Sequence, residues 1–311
     1  MRGTSWMREQ GPKDPLLVEM LRARGLENVP LWGRSFPERD RAMRRWDELA
    51  PLRDGPVGPM RAPLAPEVAA AAIKARALSL GAADVGVAAL RPEFIEYGVE
   101  LPHEHVIAIL CYEDYHKVMA GPDAVDLEAM QTYVRCAEIA TDIARYIREE
   151  LGYPALAHHN GAVQIQAIPA MHAAGLGELG KHGSLIHPRL GANFRPGFVT
   201  TSLPLTHDAP IAFGVQDYCM NCHLCTNNCP ADAIPSEFIL TEGIKRWLTD
   251  IEKCYTVSRL RPAYCHICVD VCPYIHKENG EAARKDTYKA YMKGRKLDGY
   301  KSAKRIEGDE S

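Results

Sequence analysis

Helical and strand-like hydrophobic periods take turns along the middle of the chain. Behind Pro66, a residue suited to a first helical turn, Val68, Ile73, Ala77 and Leu80 recur at near-helical spacing, and Gly81 stops the run. Two short apolar stretches follow, Asp84 to Leu90 and Val106 to Cys111, and both read as buried strands. The clearest helix comes next. Leu127, Met130, Tyr133, Val134, Ala137, Ile143 and Ile147 form one apolar stripe, closed by Gly152. A loop with His158, His159, Asn160 and Gly161, a glycine-rich stretch and a strand from Gly197 to Leu203 complete this part. Alternating helix and strand predict a layered α/β or α+β domain over a helical bundle.

Residues 1–63 are rich in Arg and Pro and read as an N-terminal extension anchored by Trp6, Trp32 and Trp46. Pro51, Pro56, Pro59, Pro63 and Pro66 punctuate a linker. The expected division is an extension over 1–63, an α/β domain over 64–212, a cysteine-rich domain over 213–285 and a basic tail over 286–311. The basic run from Arg284 to Arg305 reads as a solvated helix and tail, with a docking patch for an acidic electron donor as the sharper alternative.

Composition narrows the class. With 46% hydrophobic and 25% charged residues, the chain is ordinary for a globular protein, and a net charge of -3 gives no general reason to expect nucleic acid. No signal-type apolar run follows the N-terminal arginines, and no stretch is long enough to span a bilayer. The expectation is a cytoplasmic protein with no membrane partner, in which ten cysteines favour metal ligation over disulfides.

The cysteines carry the strongest chemistry. Cys219, Cys222, Cys225 and Cys229, followed by Pro230, have the spacing C-x2-C-x2-C-x3-C-P of two-cluster ferredoxins, whose fourth cysteine ligates the other cluster. Cys254, Cys265, Cys268 and Cys272, followed by Pro273, repeat it with the first cysteine displaced upstream. Crossing the fourth ligands assigns Cys219, Cys222, Cys225 and Cys272 to one 4Fe-4S cluster and Cys229, Cys254, Cys265 and Cys268 to the other. Zinc also uses cysteine pairs, but such runs are foreign to zinc sites. Cys111 and Cys136 are left over and read as buried packing thiols. His223 and His266 lie inside the cysteine loops, either as tuners of cluster potential or as solvent-facing loop residues.

The stretch from Ala174 to Arg195, with Gly175, Gly177, Glu178, Gly180, Lys181, His182 and Gly191, resembles the central block of the cobalamin-dependent reductive dehalogenases. Thr201 to Leu205 and Ala209 to Val215 follow in that family's order, and the likeness extends upstream to about residue 66. The related epoxyqueuosine reductases, which finish a tRNA base, are similar at Ile73 to Ala77 and at Asp114 to Lys117. The resemblance implies a nitroreductase-like α/β domain, followed by a ferredoxin-like domain with two 4Fe-4S clusters. Cobalamin would lie between them, base-off and without a protein histidine ligand. The D-x-H-x-x-G cobalamin motif is absent, since Met119 occupies its glycine position after Asp114 and His116.

By the same resemblance, Tyr133 is the proton donor, Arg195 or Lys181 its basic partner, and Asn160 a further active-site residue. Read without the resemblance, Tyr133 falls within an apolar stripe and is a core residue. Gly175, Gly177, Gly180, His182, Gly191 and Thr201 are the expected cofactor contacts. The glycines equally suit a tight turn. Thr201 and Ser202 stand where the family usually has Thr-Asp. No flavin or reductase domain accompanies the clusters, so a separate low-potential donor, a ferredoxin, flavodoxin or reductase, is expected alongside a small-molecule substrate. The leading reading is reductive dehalogenation of a small organohalide. The alternatives are an epoxyqueuosine-type tRNA reductase with Asp114 as acid, and an electron carrier without cobalamin.

Overall fold

The computed structural model describes residues 22–23, 36–59, 63–96, 98–159, 164–241, 243–260 and 265–275. Asn160, the basic run from Arg284 and the Trp6 and Trp32 anchors lie outside the described residues. The described part of the stretch expected as an extension forms helix α1 (Pro37–Leu49) and a short 3-10 turn (Ala50–Leu52). Helix α2 (Pro66–Ser79) begins at the expected proline. Strands β1 (Asp84–Ala89) and β2 (His105–Tyr112) follow. A five-residue helix, α3 (Tyr115–Met119), leads into the long α4 (Pro122–Tyr146), which starts five residues ahead of its apolar stripe. One wide π turn (Ile147–Leu151) extends α4, and Gly152 ends it in the left-handed conformation at φ 75°.

The rest of the α/β part is β3 (Ala155–His158), α5 (Ala167–Ala173), a two-stranded ribbon of β4 (Glu178–Leu179) and β5 (Leu185–Ile186), and β6 (Phe194–Thr201). The expected 197–203 strand thus begins three residues earlier, which brings Arg195 into the sheet. The cysteine-bearing part holds α6 (Val215–Asn221), α7 (Leu224–Asn228), a hairpin of β7 (Ile239–Thr241) and β8 (Ile244–Arg246), α8 (Ile251–Leu260) and α9 (Ile267–Asp270).

The main sheet runs β1-β2-β6-β3, and every neighbouring pair is antiparallel. Its central strand β2 is buried on both faces, which explains a continuous apolar run in place of alternation. Ile107, Ile109 and Cys111 face α2 and α4, sharing a core with Ile73, Ala140, Ile143 and Val199. Val106, Ala108 and Leu110 face the opposite layer, where Ala170 and Met171 of α5 meet Leu176, Leu185, Leu190 and Phe198. The result is a helix–sheet–helix sandwich whose second layer is largely the glycine-rich loop.

Helix α1 packs on α4 through Met43 and Trp46, which meet Ala129, Met130 and Tyr133. A buried ion pair crosses the same contact: Arg39 Nε donates to Asp126 Oδ2 at 2.8 Å, both side chains under 10% exposed. Such a pair specifies registry more than it adds stability, because each charge must leave water. Among the described residues, no helix is long and apolar enough to cross a membrane.

At the end of β3, His158 and His159 are both buried. One pairs with Thr200 Oγ1 at 2.8 Å, the other with Thr141 Oγ1 at 2.9 Å. Burial, reinforced by the nearby Arg53 guanidinium, pushes His159 down to about 3 and His158 well below its ordinary value. Below the unfolded value of ~6.5, the unfolded chain binds protons that the folded chain refuses, so stability falls as pH drops. Between about pH 7.5 and about pH 5.5 each histidine is expected to cost the fold about 1.4 kcal/mol. Urea titrations across that window check this, and a His159→Gln variant should show a shallower pH dependence than the parent.

Candidate functional site

Four cysteines surround one cavity. Cys219 on α6, Cys222 just after it, Cys225 on α7 and Cys272 after α9 line one recess, together with Lys181, His182, Tyr218 and Tyr274. This is the set expected on the first cluster, including the crossed fourth ligand from the second motif. Cys229, Cys254, Cys265 and Cys268 gather in an adjoining apolar cluster with Ala233, Ile234, Ile267 and Val271. Among the described residues, no group of three or more His, Cys, Asp or Glu side chains converges on a single metal ion. Sulfurs spread around a volume suit a cube of iron and sulfide better than one zinc.

Burial pushes the Cys219 thiol up to about 11 and Cys225 up to about 12, and raises Cys268 and Cys272 well above the ordinary thiol range. Thiols in such surroundings become thiolates through coordination, because a bound cation overrides the local desolvation. Two backbone amides already point at sulfur: Lys181 N–H donates to Cys219 Sγ, and Ala233 N–H to Cys229 Sγ, each at 3.4 Å.

The glycine-rich loop fastens this cysteine cradle to the sandwich. Glu178 on β4 is 7% exposed, and its carboxylate accepts from Phe213 N–H at 2.7 Å and from Val215 and Gln216 N–H at 3.1 Å. It therefore satisfies the first orphan donors of α6, the helix that carries Cys219. At the other edge, Ala192 N–H donates to Tyr274 O at 3.3 Å, and Gly191 bridges to both His187 and Ile275. Ile186, Ala192, Val215, Trp247 and Tyr274 then form one apolar cluster across the two parts.

The expected cofactor glycines serve the chain itself. A Cβ on Gly177 would lie 2.3 Å from Ile186 O, and one on Gly175 would lie 2.6 Å from Ala209 O. A Cβ on Gly180 would press on Ile186 Cδ1 at 2.8 Å and on the His182 ring at 3.1 Å. At these three positions the tight-turn reading is the one the packing supports. Thr201 is likewise held within the chain. Its hydroxyl donates to Pro154 O at 2.7 Å and accepts from Leu203 N–H, and it lies six residues along β6 from Arg195, roughly 20 Å away.

Tyr133 and Arg195 are brought together. Tyr133 is 5% exposed on α4, and the Arg195 guanidinium carbon sits 5.2 Å from its ring centroid. Arg195 Nε donates to Glu113 Oε1 at 2.7 Å, and Glu113 is fully buried. Asn193 locks this corner, donating from Nδ2 to Glu113 O at 2.7 Å. Lys181 goes elsewhere. It is 1% exposed among the cysteines, with Nζ 5.5 Å from the Trp247 ring centroid and 3.4 Å from His223 Nδ1. Sequence reasoning passed over Glu113 and gave Glu178 no role beyond its place in the glycine-rich block. Glu113 follows the apolar run of β2, and that pattern alone does not separate a buried acid from a solvated one.

Of the remaining candidates, His223 is exposed, whereas His266 is buried and pairs through Nδ1 with Asp270 Oδ1 at 2.8 Å. Asp114 caps α3, accepting from His116 N–H at 2.9 Å and Lys117 N–H at 3.2 Å. Cys111 and Cys136 are buried in the core between β2 and α4, as expected of packing thiols, and Cys136 Sγ donates to Arg195 O at 3.1 Å.

Fold and cradle together define an iron–sulfur redox protein, in which a layered α/β domain is joined to a 4Fe-4S dicluster domain. A family model described as a 4Fe-4S dicluster domain matches residues 218–275. The chain is homologous to the reductive dehalogenases. It is 32% identical over 223 residues to a tetrachloroethene reductive dehalogenase of Desulfitobacterium hafniense, covering 67% of this chain and 40% of that protein. With the tetrachloroethene reductive dehalogenase of Sulfurospirillum multivorans it shares 31% identity over 196 residues, 57% of this chain and 39% of that one.

A solved catabolic reductive dehalogenase in complex with 3-bromo-4-hydroxybenzoic acid superposes with a TM-score of 0.73 at 26% identity, covering 86% of this chain and 42% of that chain. A second reductive dehalogenase structure, whose description concerns B12-dependent dehalogenation, gives 0.71 at 27% identity over 84% of this chain and 41% of that one. An epoxyqueuosine reductase of Synechococcus sp. matches over a shorter stretch, 34% identical over 112 residues, 33% of this chain and 34% of that protein. The chain therefore spans about 40% of the length of the curated dehalogenases it matches.

The carboxylate of Glu178 yields a direct test. Glu178→Ala removes three charge-assisted hydrogen bonds at the α6 terminus and is expected to cost about 2–3 kcal/mol. Glu178→Gln, which keeps an acceptor, should cost less. Urea unfolding and iron content per chain report both, and an unchanged iron content in the alanine variant would refute the tethering role.

Proposed function

We propose that the chain is a corrinoid- and iron–sulfur-dependent reductase that replaces a halogen on a small organic molecule with hydrogen. The observation that carries this reading is the buried Tyr133 phenol against the Arg195 guanidinium, near the start of β6, where the preceding Ala192 N–H donates to Tyr274 O of the cysteine-bearing part. Overall the reaction consumes two electrons and one proton, releasing halide and forming a C–H bond.

The polar lining of this corner fits a corrinoid. Glu113 Oε2, Asp126 Oδ1 and Asn193 Oδ1 are buried and have no hydrogen-bond partner among the described residues. The amide-rich rim of a corrin ring would offer N–H donors to these three oxygens. When bound, a corrinoid supplies the low-potential electron chemistry that breaks a carbon–halogen bond, fed by two 4Fe-4S clusters on the crossed cysteine sets.

The chain's own part is positioning and proton supply. Tyr133 stands in an apolar pocket made by Met43, Trp46, Ala129 and Met130, which excludes water from its hydroxyl. Its O–H donates the proton that the departing halide leaves wanting. The phenolate formed lies against Arg195, and a neighbouring cation favours the charged form of a phenol whose ordinary pKa is near ~10. Glu113 keeps the guanidinium in place, so that it need not reorganise as charge develops. The electron donor would be a separate low-potential protein.

Anaerobic expression with cobalamin should give about eight irons and one cobalt per chain. Tyr133→Phe should keep both and lose dehalogenation by a hundredfold or more, the usual scale for a general acid. Iron without cobalt, despite excess corrinoid, would reduce the protein to an electron carrier. A Tyr133→Phe variant as fast as the parent would remove the acid.

A further inference from the structure

His182 has a position that a contact to the cofactor alone does not explain. It lies in the loop between β4 and β5 and is 8% exposed. Its ring lines the cavity bounded by Cys219, Cys222, Cys225 and Cys272. Nδ1 accepts the Ser184 N–H at 3.0 Å, so the neutral imidazole carries its proton on Nε2. That Nε2 is buried and has no hydrogen-bond partner among the described residues.

The surroundings are built to place this ring. Gly180 leaves the space it fills, since a Cβ there would stand 3.1 Å from Cε1 and 3.2 Å from Nε2. Between them, Lys181 N–H donates to Cys219 Sγ. Three consecutive residues thus wrap one side of the cradle, one clearing room, one donating from the backbone and one presenting a ring N–H. A buried N–H left unmade is costly, and four cysteine sulfurs line the cavity beside the Tyr218 and Tyr274 side chains.

We infer that His182 Nε2–H donates a hydrogen bond to a sulfur of the 4Fe-4S cluster held by Cys219, Cys222, Cys225 and Cys272, and so sets that cluster's reduction potential. Reduction adds negative charge to the cluster, and a fixed donor stabilises the reduced form more than the oxidised one. His182 is therefore a positioning and tuning residue, reassigned from the corrinoid to the cluster, and the reading rests on the two-cluster assignment above.

The test uses full-length, cluster-loaded protein prepared without corrinoid, followed by an EPR-monitored redox titration that resolves the two clusters. His182→Phe preserves the ring's bulk and removes the donor, while His182→Gln keeps a donor of similar reach. In the phenylalanine variant one cluster should become harder to reduce, its reduced-to-oxidised ratio at fixed potential falling about tenfold, or about 59 mV for one electron. The other cluster should stay put, and the glutamine variant should recover most of the shift. An unchanged potential in His182→Phe, with iron content intact, would overturn the inference. Equal shifts of both clusters would overturn it as well, since they report general disturbance. If the parent protein itself holds only one cluster, the two-cluster assignment fails and takes the inference with it.

Discussion

One carboxylate joins the two parts of this protein. Glu178 leaves a two-residue strand of the glycine-rich loop and accepts three backbone N–H groups at the start of the helix bearing Cys219. A seven-residue helix is too short to hold itself in place by propensity. Its orientation, and with it the side of the cluster cradle that faces the sandwich, depends on an external anchor. The glycines around Glu178 allow it: Gly177 lets the ribbon close on Ile186, and Gly180 admits the His182 ring. The loop's small residues are thus spent on bringing a redox cradle against a sheet.

The other organised feature is a line of buried charge along the sheet edge. Arg195 lies between Glu113 and Tyr133, and Arg39 meets Asp126 one helix away. Buried ion pairs are poor sources of net stability, so their concentration on one edge points to function. Each acid has one oxygen without a hydrogen-bond partner among the described residues, while its other oxygen holds a guanidinium group in place. Such an arrangement keeps fixed dipoles and charges ready for a guest, which is how a site lowers reorganisation during charge transfer.

Much of the fold was legible along the chain, because the signals were local. The proline at α2, the apolar runs of β1 and β2 and the stripe of α4 mark elements near their observed places. Helix α1 was missed because its mean character is polar and arginine-rich. Its burial comes from a few residues, Arg39, Met43 and Leu49, that find partners only across space. Arg195 was a candidate from resemblance, yet its strand was drawn three residues short, since Phe194, Arg195 and Pro196 carry no strand period of their own.

The sequence by itself determined the metal chemistry. Eight cysteines at ferredoxin spacing specify local loops that gather sulfur, and such loops need only their own turns to form. It also determined the helix and strand periods that make a layered domain. Only the tertiary structure decided which basic residue meets Tyr133. Arg195 and Lys181 are equivalent candidates in one dimension, but β6 lies under α4 while the Lys181 loop lies against the cysteines. Tertiary structure likewise set the Thr201 hydroxyl on Pro154 O and packed three glycines against the chain's own atoms. Those outcomes depend on antiparallel registers and long-range contacts, which set side-chain neighbours across a hundred residues and leave no periodic trace in the chain.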